Sequence, residues 1–333
     1  MRPAIIDRRR LLLGLAAGTA LLSVPLLATA PLPARAATDR KGASVVTTTA
    51  HVADLVRAVA GDRLRVDSLL GEGIDPHSYK LTRTDTGRLL AADAVLFNGL
   101  LLEGKMADTF ARMASAGKPV LAVAEAIPVD RLLTEEGGAP DPHVWMDPAL
   151  WTLALDAVRD ALIDFDPAGA DAYRANADTY RASLTELDAY ARKALTSVPK
   201  ERRVLVTAHD AFSYLGRAYD MEVVGIQGIS TESEAGLRRI EELVAMLVDR
   251  TVPAVFVETS VTDRNVRALI DGAAARGHKV VIGGSLFSDA MGAPGTYEGT
   301  YLGMMDHNVT VISQALGGDA PAGGWRGRLA AAR

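Results

Sequence analysis

Short β-branched and apolar runs alternate with segments of helical periodicity along most of the chain. The first run, Ser44 to Ala50, is followed by apolar residues at helical spacing that stop at Gly61. Strands that alternate with helices in this way predict parallel sheets with helices on their faces. The predicted strands span residues 44–50, 64–70, 94–99, 119–124, 203–209, 222–226, 254–258 and 279–284.

The middle of the chain interrupts this alternation. Asp166 and Pro167 suit the N-cap and first position of a helix, and apolar residues then recur at steps of three and four from Tyr173 to Leu195. A helix that ends before Pro199 would have about 30 residues and a length of about 45 Å, enough to span two lobes. We therefore predict an α/β protein of two lobes, each with a parallel sheet flanked by helices, joined by one long rigid helix. The predicted bounds are 37–165 for the N-terminal lobe, 166–198 for the linking helix and 199–333 for the C-terminal lobe.

The first 36 residues have the pattern of an export signal. Three arginines, at positions 8–10, precede an apolar run at 11–30, and Ala34-Arg35-Ala36 forms an A-x-A cleavage pattern. The run is long enough for a transmembrane anchor, but its proline, its small residues and the A-x-A pattern favour a cleaved signal peptide over residues 1–36. The paired arginines are also compatible with twin-arginine export.

Charge and cysteine content narrow the class of function. Removal of residues 1–36, with their five arginines and one aspartate, changes the net charge from −5 to −9. An acidic chain without a basic patch argues against nucleic acid as a partner. The chain contains no cysteine, which excludes disulfides, thiolate ligands and a cysteine nucleophile within it. We expect an exported, soluble protein without a lipid-anchored cysteine.

Asp-Pro-His occurs twice, at 75–77 and 141–143, although the chain has only six histidines. Both tripeptides and Asp289 follow predicted strands, and His209 is the last residue of one. Ligands bind beyond the carboxyl ends of strands in open α/β sheets. Two candidates come from each lobe, so we expect a site in the cleft between the lobes. The proline restricts φ beside each histidine, and each aspartate can accept backbone hydrogen bonds that hold the turn. The predicted metal ligands are His77, His143, His209 and Asp289.

Three imidazoles and one carboxylate suit a divalent transition metal, zinc above all, with manganese also tolerated. From the ordinary imidazole pKa of about 6.5, we expect metal affinity to fall as the pH drops through that range. Four protein ligands leave no open position for a substrate, so we expect a binding protein rather than an enzyme. The alternative is a secreted zinc-dependent hydrolase, which would need three protein ligands, a bound water and a general base.

The whole chain after the signal segment resembles a known family, the metal-binding solute receptors of ABC importers of the zinc/manganese type (cluster A-I, TroA-like and ZnuA-like). The resemblance rests on the motifs DPHSYKLT, DPHVWMDP, GIQGISTESEAG and GGSLFSDAMG followed by GTYEGTYLGMMDHN. It implies that the family's four ligands fall on the same three histidines and aspartate.

The resemblance also bears on the metal and the partners. Manganese-preferring members usually have Glu where His209 stands, which favours zinc here. Many zinc receptors have a histidine-rich loop before the second ligand, whereas this chain has only LTEEGGAPDPH, with Glu135 and Glu136. The implied role is capture of zinc, or of manganese, and delivery to an inner-membrane ABC permease, with a periplasmic metallochaperone as a further possible partner and a monomer as the expected form. Related receptors for chelated iron or haem share the two-lobe architecture, but this ligand set favours a naked ion.

The other histidines are expected to be structural. We predict that His51 caps the helix that follows the first strand, that His278 lies at a helix C-terminus and interacts with its dipole, and that His307 lies in the closing helix. Glu258, which ends a strand at the ligand edge, is expected to orient a ligand imidazole.

Aromatic and glycine residues beside the predicted ligands have expected roles as well. Tyr79 and Trp145 follow the two Asp-Pro-His segments closely and are expected to shield the site. Gly283 and Gly284 do not belong to a phosphate-binding pattern, and we expect them to permit close backbone approach.

Overall fold

The computed structural model describes residues 38–134 and 138–329. The predicted signal peptide and the residues Glu135 and Glu136 lie outside the described residues. All described residues belong to one compact unit. Within them, no helix has the length and apolar character needed to cross a membrane.

The N-terminal lobe is built on one four-stranded parallel sheet in the order β2-β1-β3-β4. Two helix starts are fixed by local side chains: Thr49 accepts the backbone N–H of Val52, and Thr82 and Asp85 form a capping box. The elements are β1 Ser44–Thr47, α1 Ala50–Ala60, β2 Arg65–Ser68, α2 Arg83–Ala91, β3 Ala94–Phe97, α3 Ala107–Ser115 and β4 Val120–Ala122.

Two long helices, not one, lie between β4 and the C-terminal lobe. The first, α4, spans Pro148–Phe165 and was not predicted from the sequence; the carboxylate of Asp147 caps its first turn. Asp166 and Pro167 take the predicted N-cap and first positions, but of a short 3₁₀ turn and not of the second long helix. The Asp166 carboxylate does not cap that turn, because it accepts from Arg63, from the Tyr173 hydroxyl and from the backbone N–H of Arg40. The turn separates Asp166 from the second long helix, α5, Ala170–Thr196.

Helix α5 has 27 residues, which corresponds to about 40 Å. It packs against α1 of the N-terminal lobe and against α4, and it also packs against α6 and α9 of the C-terminal lobe. The predicted long helix that joins the lobes is therefore confirmed, with a later start than predicted.

The C-terminal lobe contains two parallel strand pairs, β5-β6 and β7-β8, with β5 beside β7. Its elements are β5 Val204–Thr207, α6 Ser213–Tyr219, β6 Glu222–Gly225, α7 Leu237–Asp249, β7 Ala254–Glu258, α8 Arg264–Ala275, β8 Val281–Leu286 and α9 Tyr301–Ala315. The parallel α/β architecture predicted for both lobes is confirmed.

Strand β8 ends two residues later than predicted and carries a bulge at Gly283. A Cβ on Gly283 would lie 2.8 Å from the Phe256 ring, and one on Gly284 would lie 2.4 Å from Val311 of α9. These glycines allow α9 to pack closely on the strand that leads to Asp289, as expected.

Candidate metal centre

Both Asp-Pro-His segments fold into the same local structure. Asp75 accepts the backbone N–H of His77 at 2.8 Å, and Asp141 accepts that of His143 at 2.9 Å. The predicted role of each aspartate in holding its turn is confirmed. Each imidazole is thereby presented from a stiffened loop of the N-terminal lobe.

The other two predicted ligands come from the C-terminal lobe. His209 lies two residues beyond β5, and Asp289 lies three residues beyond β8. Both are at the carboxyl ends of parallel strands, where helices and loops leave an edge open to a ligand.

The structure brings all four predicted residues together. Each offers a donor atom, and these atoms lie within 4.8 Å of one another. His143 Nε2 is 3.3 Å from Asp289 Oδ1, and His209 Nε2 is 3.2 Å from Asp289 Oδ2. His77 Nε2 is 3.3 Å from His143 Nε2 and 3.7 Å from Asp289 Oδ2. Bonds of about 2.0–2.1 Å to a tetrahedral ion would separate donors by about 3.3 Å, so the spacing fits a shared zinc-sized cation.

Burial and missing hydrogen bonds also favour a cation. Exposure is 0% for His143 and His209, 2% for Asp289 and 6% for His77. His209 Nε2 and both carboxylate oxygens of Asp289 have no hydrogen-bond partner among the described residues. Buried polar atoms without partners are costly, and a bound cation would satisfy all three.

Carboxylates lie behind two of the imidazoles. Asp141 Oδ1 is 2.7 Å from His143 Nδ1, and Glu258 Oε2 is 2.5 Å from His209 Nδ1. The expected role of Glu258 in orienting a ligand imidazole fits this contact. The contact of Asp141 with the His143 ring was not predicted, because the sequence pattern indicated only backbone hydrogen bonds for that carboxylate.

These contacts set the protonation of the metal-free cluster. Burial lowers the pKa of His143, but Asp141 and Asp289 outweigh it and raise the pKa to about 9. Burial also lowers the pKa of His209, but Glu258 and Asp289 outweigh it and hold that pKa well above its usual value. Burial raises the pKa of Asp289, yet His209 and His143 hold it well below its usual value.

His77 differs from the other two imidazoles. Burial lowers its pKa to about 4, with partial compensation by Asp289. Within the described residues, no carboxylate is hydrogen-bonded to its ring. His77 also lines the cleft mouth, which we define by His77, Leu101, Lys105, Pro142 and Glu232.

Two contacts cross between the lobes near the cleft mouth, and neither was predicted from the sequence. Lys105 Nζ lies 2.6 Å from Glu232 Oε1, and the Thr231 hydroxyl donates to Asp75 Oδ2 at 2.7 Å. Thr231 and Glu232 belong to the motif GISTESEAG, so the motif was visible in the sequence although its contacts were not.

His51 does not cap helix α1, because Thr49 performs that role. It lies fully buried in the first turn and stacks on Trp145, with ring centroids 4.6 Å apart. Burial is the main cause that lowers the pKa of His51 to about 4. Neither ring nitrogen has a hydrogen-bond partner among the described residues.

The expectation that both flanking aromatic residues shield the site holds only for Trp145, which is fully buried and 5.2 Å from the His143 ring. Tyr79 is half-buried and donates instead to Asp85 at the start of α2.

The two remaining histidines described lie outside the cluster. His278 bonds the carbonyl of Val252 through Nε2 at 2.8 Å, and His307 of α9 bonds the carbonyl of Ser285 at 2.9 Å. Their structural roles agree with expectation, although the imidazole of His278 contacts a loop carbonyl and not a helix end.

Two α/β lobes on a long helix, with a buried three-histidine, one-aspartate cluster between them, define a two-lobe binding protein. The family described as ZnuA, zinc-uptake complex component A periplasmic, matches residues 45–315. The chain belongs to this family of metal-binding substrate-binding proteins of ABC importers. This membership gives no support to the secreted hydrolase that the sequence alone left open.

Several relatives cover most of the chain. Manganese-binding lipoprotein MntA of Bacillus subtilis (strain 168) is 46% identical over 273 residues, which is 82% of this chain and 89% of the relative. Zinc-binding protein TroA of Treponema pallidum (strain Nichols) is 47% identical over 272 residues, 82% of this chain and 88% of the relative. The solved structure of the periplasmic zinc-binding protein TroA from Treponema pallidum superposes with a TM-score of 0.81 at 46% identity, over 83% of this chain and 99% of that chain.

Proposed function

We propose that this protein binds one divalent transition-metal ion through His77, His143, His209 and Asp289 and delivers it to an ABC permease. The observation that carries the proposal is the convergence of these four buried donors from two lobes, within 4.8 Å of one another. The zinc- and manganese-binding names of relatives at 46–47% identity support the same conclusion.

Zinc is the proposed ion, with manganese as the competitor. Imidazole is a borderline ligand that suits zinc, and donor separations of 3.2–3.7 Å fit a tetrahedral shell. Manganese prefers more ligands and more oxygen donors than this cluster supplies. The third histidine, His209, is therefore the residue that most favours zinc.

The fold limits how the ion is released. Helix α5 packs on helices of both lobes and is continuous over 27 residues. A wide hinge motion would break this packing, so small shifts of the lobes or of the ligand loops would release the ion. His77 is the most exposed ligand and lies at the cleft mouth, so its side of the shell would open first.

The finer features of the proposal follow from the family and from the sequence. The proposed setting is the periplasm after removal of residues 1–36, with lobes at 37–165 and 199–333 on either side of the linking helix. The proposed partners are an inner-membrane ABC permease and a periplasmic metallochaperone, and the proposed form is a monomer. The predicted lack of a lipid-anchored cysteine differs from the lipoprotein name of MntA and remains a prediction.

Competitive titration of protein purified without a metal-affinity tag tests the function. We expect one ion per chain, tighter binding of zinc than of manganese, and large losses of zinc affinity in His209→Ala and Asp289→Ala. His278→Ala is the matched control, because that imidazole bonds the carbonyl of Val252 and does not belong to the cluster. Failure of the wild-type protein to bind either metal would overturn the proposal, and unchanged titrations in both ligand variants would remove those residues from the site.

A further inference from the structure

We propose that Trp145 is a positioning residue that holds Asp289 of one lobe in register with His143 of the other. This inference rests on the proposed function, since it concerns the geometry of the same metal shell. It assigns a specific task to the indole N–H, beyond the shielding expected of an aromatic ring beside a ligand.

The indole connects the two ligands through very short paths. Trp145 lies two residues beyond His143, in the 3₁₀ turn Val144–Met146. Its Nε1–H donates to the backbone carbonyl of Ser288 at 3.1 Å, and Ser288 directly precedes Asp289. The hydrogen bond therefore joins the segment that carries one ligand to the segment that carries the other.

Asp289 depends on its backbone for its position. Neither of its carboxylate oxygens has a hydrogen-bond partner among the described residues. Within the C-terminal lobe, Asn308 bonds both the N–H and the carbonyl of Phe287, and the hydroxyls of Ser260 and Ser288 bond each other. These contacts hold the segment that carries Asp289. Among the described residues, the Trp145 indole makes the one hydrogen bond from the N-terminal lobe to the backbone of residues 287–289.

Two rings hold the indole, and a hydrogen bond from α9 holds the backbone of the same residue. His51 stacks on its face at 4.6 Å with an interplanar angle of 23°, and the ring of His143 meets it at 5.2 Å and 70°. The Tyr301 hydroxyl of α9 donates to the carbonyl of Trp145 at 2.7 Å. A fully buried ring with these contacts cannot turn without moving its neighbours, so the N–H points at a fixed place.

This arrangement also bears on metal preference. The separation of 3.3 Å between His143 Nε2 and Asp289 Oδ1 fits a tetrahedral shell. Loss of the indole N–H would let the Asp289 segment shift and loosen that distance. Zinc in a closed four-ligand shell would lose more affinity than manganese, which accepts more ligands and more varied geometry.

Trp145→Phe, compared with Trp151→Phe, tests the inference. Both side chains are fully buried, but Nε1 of Trp151, which lies on α4, has no hydrogen-bond partner among the described residues. The two variants therefore remove the same atoms from buried sites. Only Trp145→Phe loses a hydrogen bond to the segment that carries a proposed ligand.

The readouts are the visible absorption of the cobalt(II) form, which is strong for tetrahedral and weak for six-coordinate ions, and the zinc and manganese affinities. We expect Trp145→Phe to weaken the tetrahedral cobalt absorption, to lower zinc affinity about tenfold and to reduce the zinc-to-manganese preference. We expect Trp151→Phe to lower thermal stability while it keeps the wild-type spectrum and affinities. A second variant, His51→Ala, removes only the stacked ring and should give the same spectral change in weaker form, which covers the case in which Trp145→Phe fails to fold.

A wild-type cobalt spectrum and wild-type affinities in Trp145→Phe would overturn the inference, as would equal losses in Trp145→Phe and Trp151→Phe. If Trp145→Phe does not fold, an unchanged spectrum in His51→Ala overturns it. If the wild-type protein binds none of these metals, the proposed function fails and the inference falls with it. If the wild-type protein binds these metals and the two variants do not differ, the inference fails and the proposed function stands.

Discussion

Glu258 Oε2 lies 2.5 Å from Nδ1 of His209, and Glu258 Oε1 accepts the backbone N–H of the same residue at 2.8 Å. One buried carboxylate thus fixes both the backbone and the ring of a proposed ligand, and it directs Nε2 toward Asp289. Asp141 does the same for His143 with a single oxygen. The imidazoles of His143 and His209 therefore point into the cluster before any ion binds.

Glu258→Gln should lower metal affinity by about tenfold to a hundredfold, the usual cost of losing a partner behind a ligand imidazole. In glutamine an NH2 group, which cannot accept, replaces one of the two oxygens that each accept a hydrogen bond from His209. The substitution also removes the charge that stabilises metal-bound imidazole. Chelator-competition titration measures the change. Glu222→Gln, at an exposed ion pair with Arg250, is the control, and equal affinities in the two variants would contradict the orienting role.

Metal binding should release about two protons per ion at pH 7. In the metal-free protein, His143 with a pKa of about 9 and His209 with a pKa well above its usual value carry protons at pH 7, whereas His77 with a pKa of about 4 does not. The ion must displace these protons, so affinity should rise with pH, by up to about a hundredfold per pH unit where both rings are protonated. Calorimetry in buffers of different ionisation enthalpy counts the protons, and binding without proton release would refute the expectation.

Glu232→Gln should speed metal release. The variant removes the ion pair with Lys105 across the cleft mouth, beside the most exposed ligand, His77. Because this pair is solvent-exposed, salt screens it, so release from the wild-type protein should also accelerate with ionic strength, and release from the variant should respond less. Stopped-flow transfer of zinc to a chelator measures both rates. Glu242→Gln, at an exposed pair on α7, serves as the control, and identical rates in the two variants would rule out the contribution of the pair.

His51→Phe should make the metal-free protein more resistant to acid. A histidine whose pKa falls from 6.5 to about 4 on folding is protonated first in the unfolded chain, so stability is lost as the pH falls from 6.5 to 4. The difference corresponds to about 3 kcal/mol at pH 4. Phenylalanine keeps a ring stacked on Trp145 and cannot be protonated, so this loss of stability at low pH should disappear. Urea unfolding at pH 4.5 and pH 7.5 measures it, and the same pH dependence in variant and wild type would argue against buried, neutral His51.

The elements that the sequence predicted well are those whose pattern is local. Most strands of the described residues contain runs of Val, Ile and Leu. Helix α9 begins after Thr300, which accepts the N–H of Gly303. The ligand candidates could be predicted because each follows a strand, and the carboxyl ends of parallel strands meet at one edge.

What could not be predicted depends on contacts between distant residues. Asp166 and Pro167 have the local pattern of a helix start, but Arg63 and Tyr173 engage the carboxylate and delay the helix to Ala170. His51 has the local pattern of a cap, but the ring of Trp145 draws it into the core.

The central claim is that one cation is shared by three imidazoles and one carboxylate from two lobes. Anomalous diffraction at the zinc edge from crystals of the zinc-loaded protein tests it most directly. The account predicts a single strong peak within about 2.0–2.2 Å of one nitrogen each of His77, His143 and His209 and of one Asp289 oxygen. A peak elsewhere, or a zinc ion that leaves any two of these residues unbound, would contradict it.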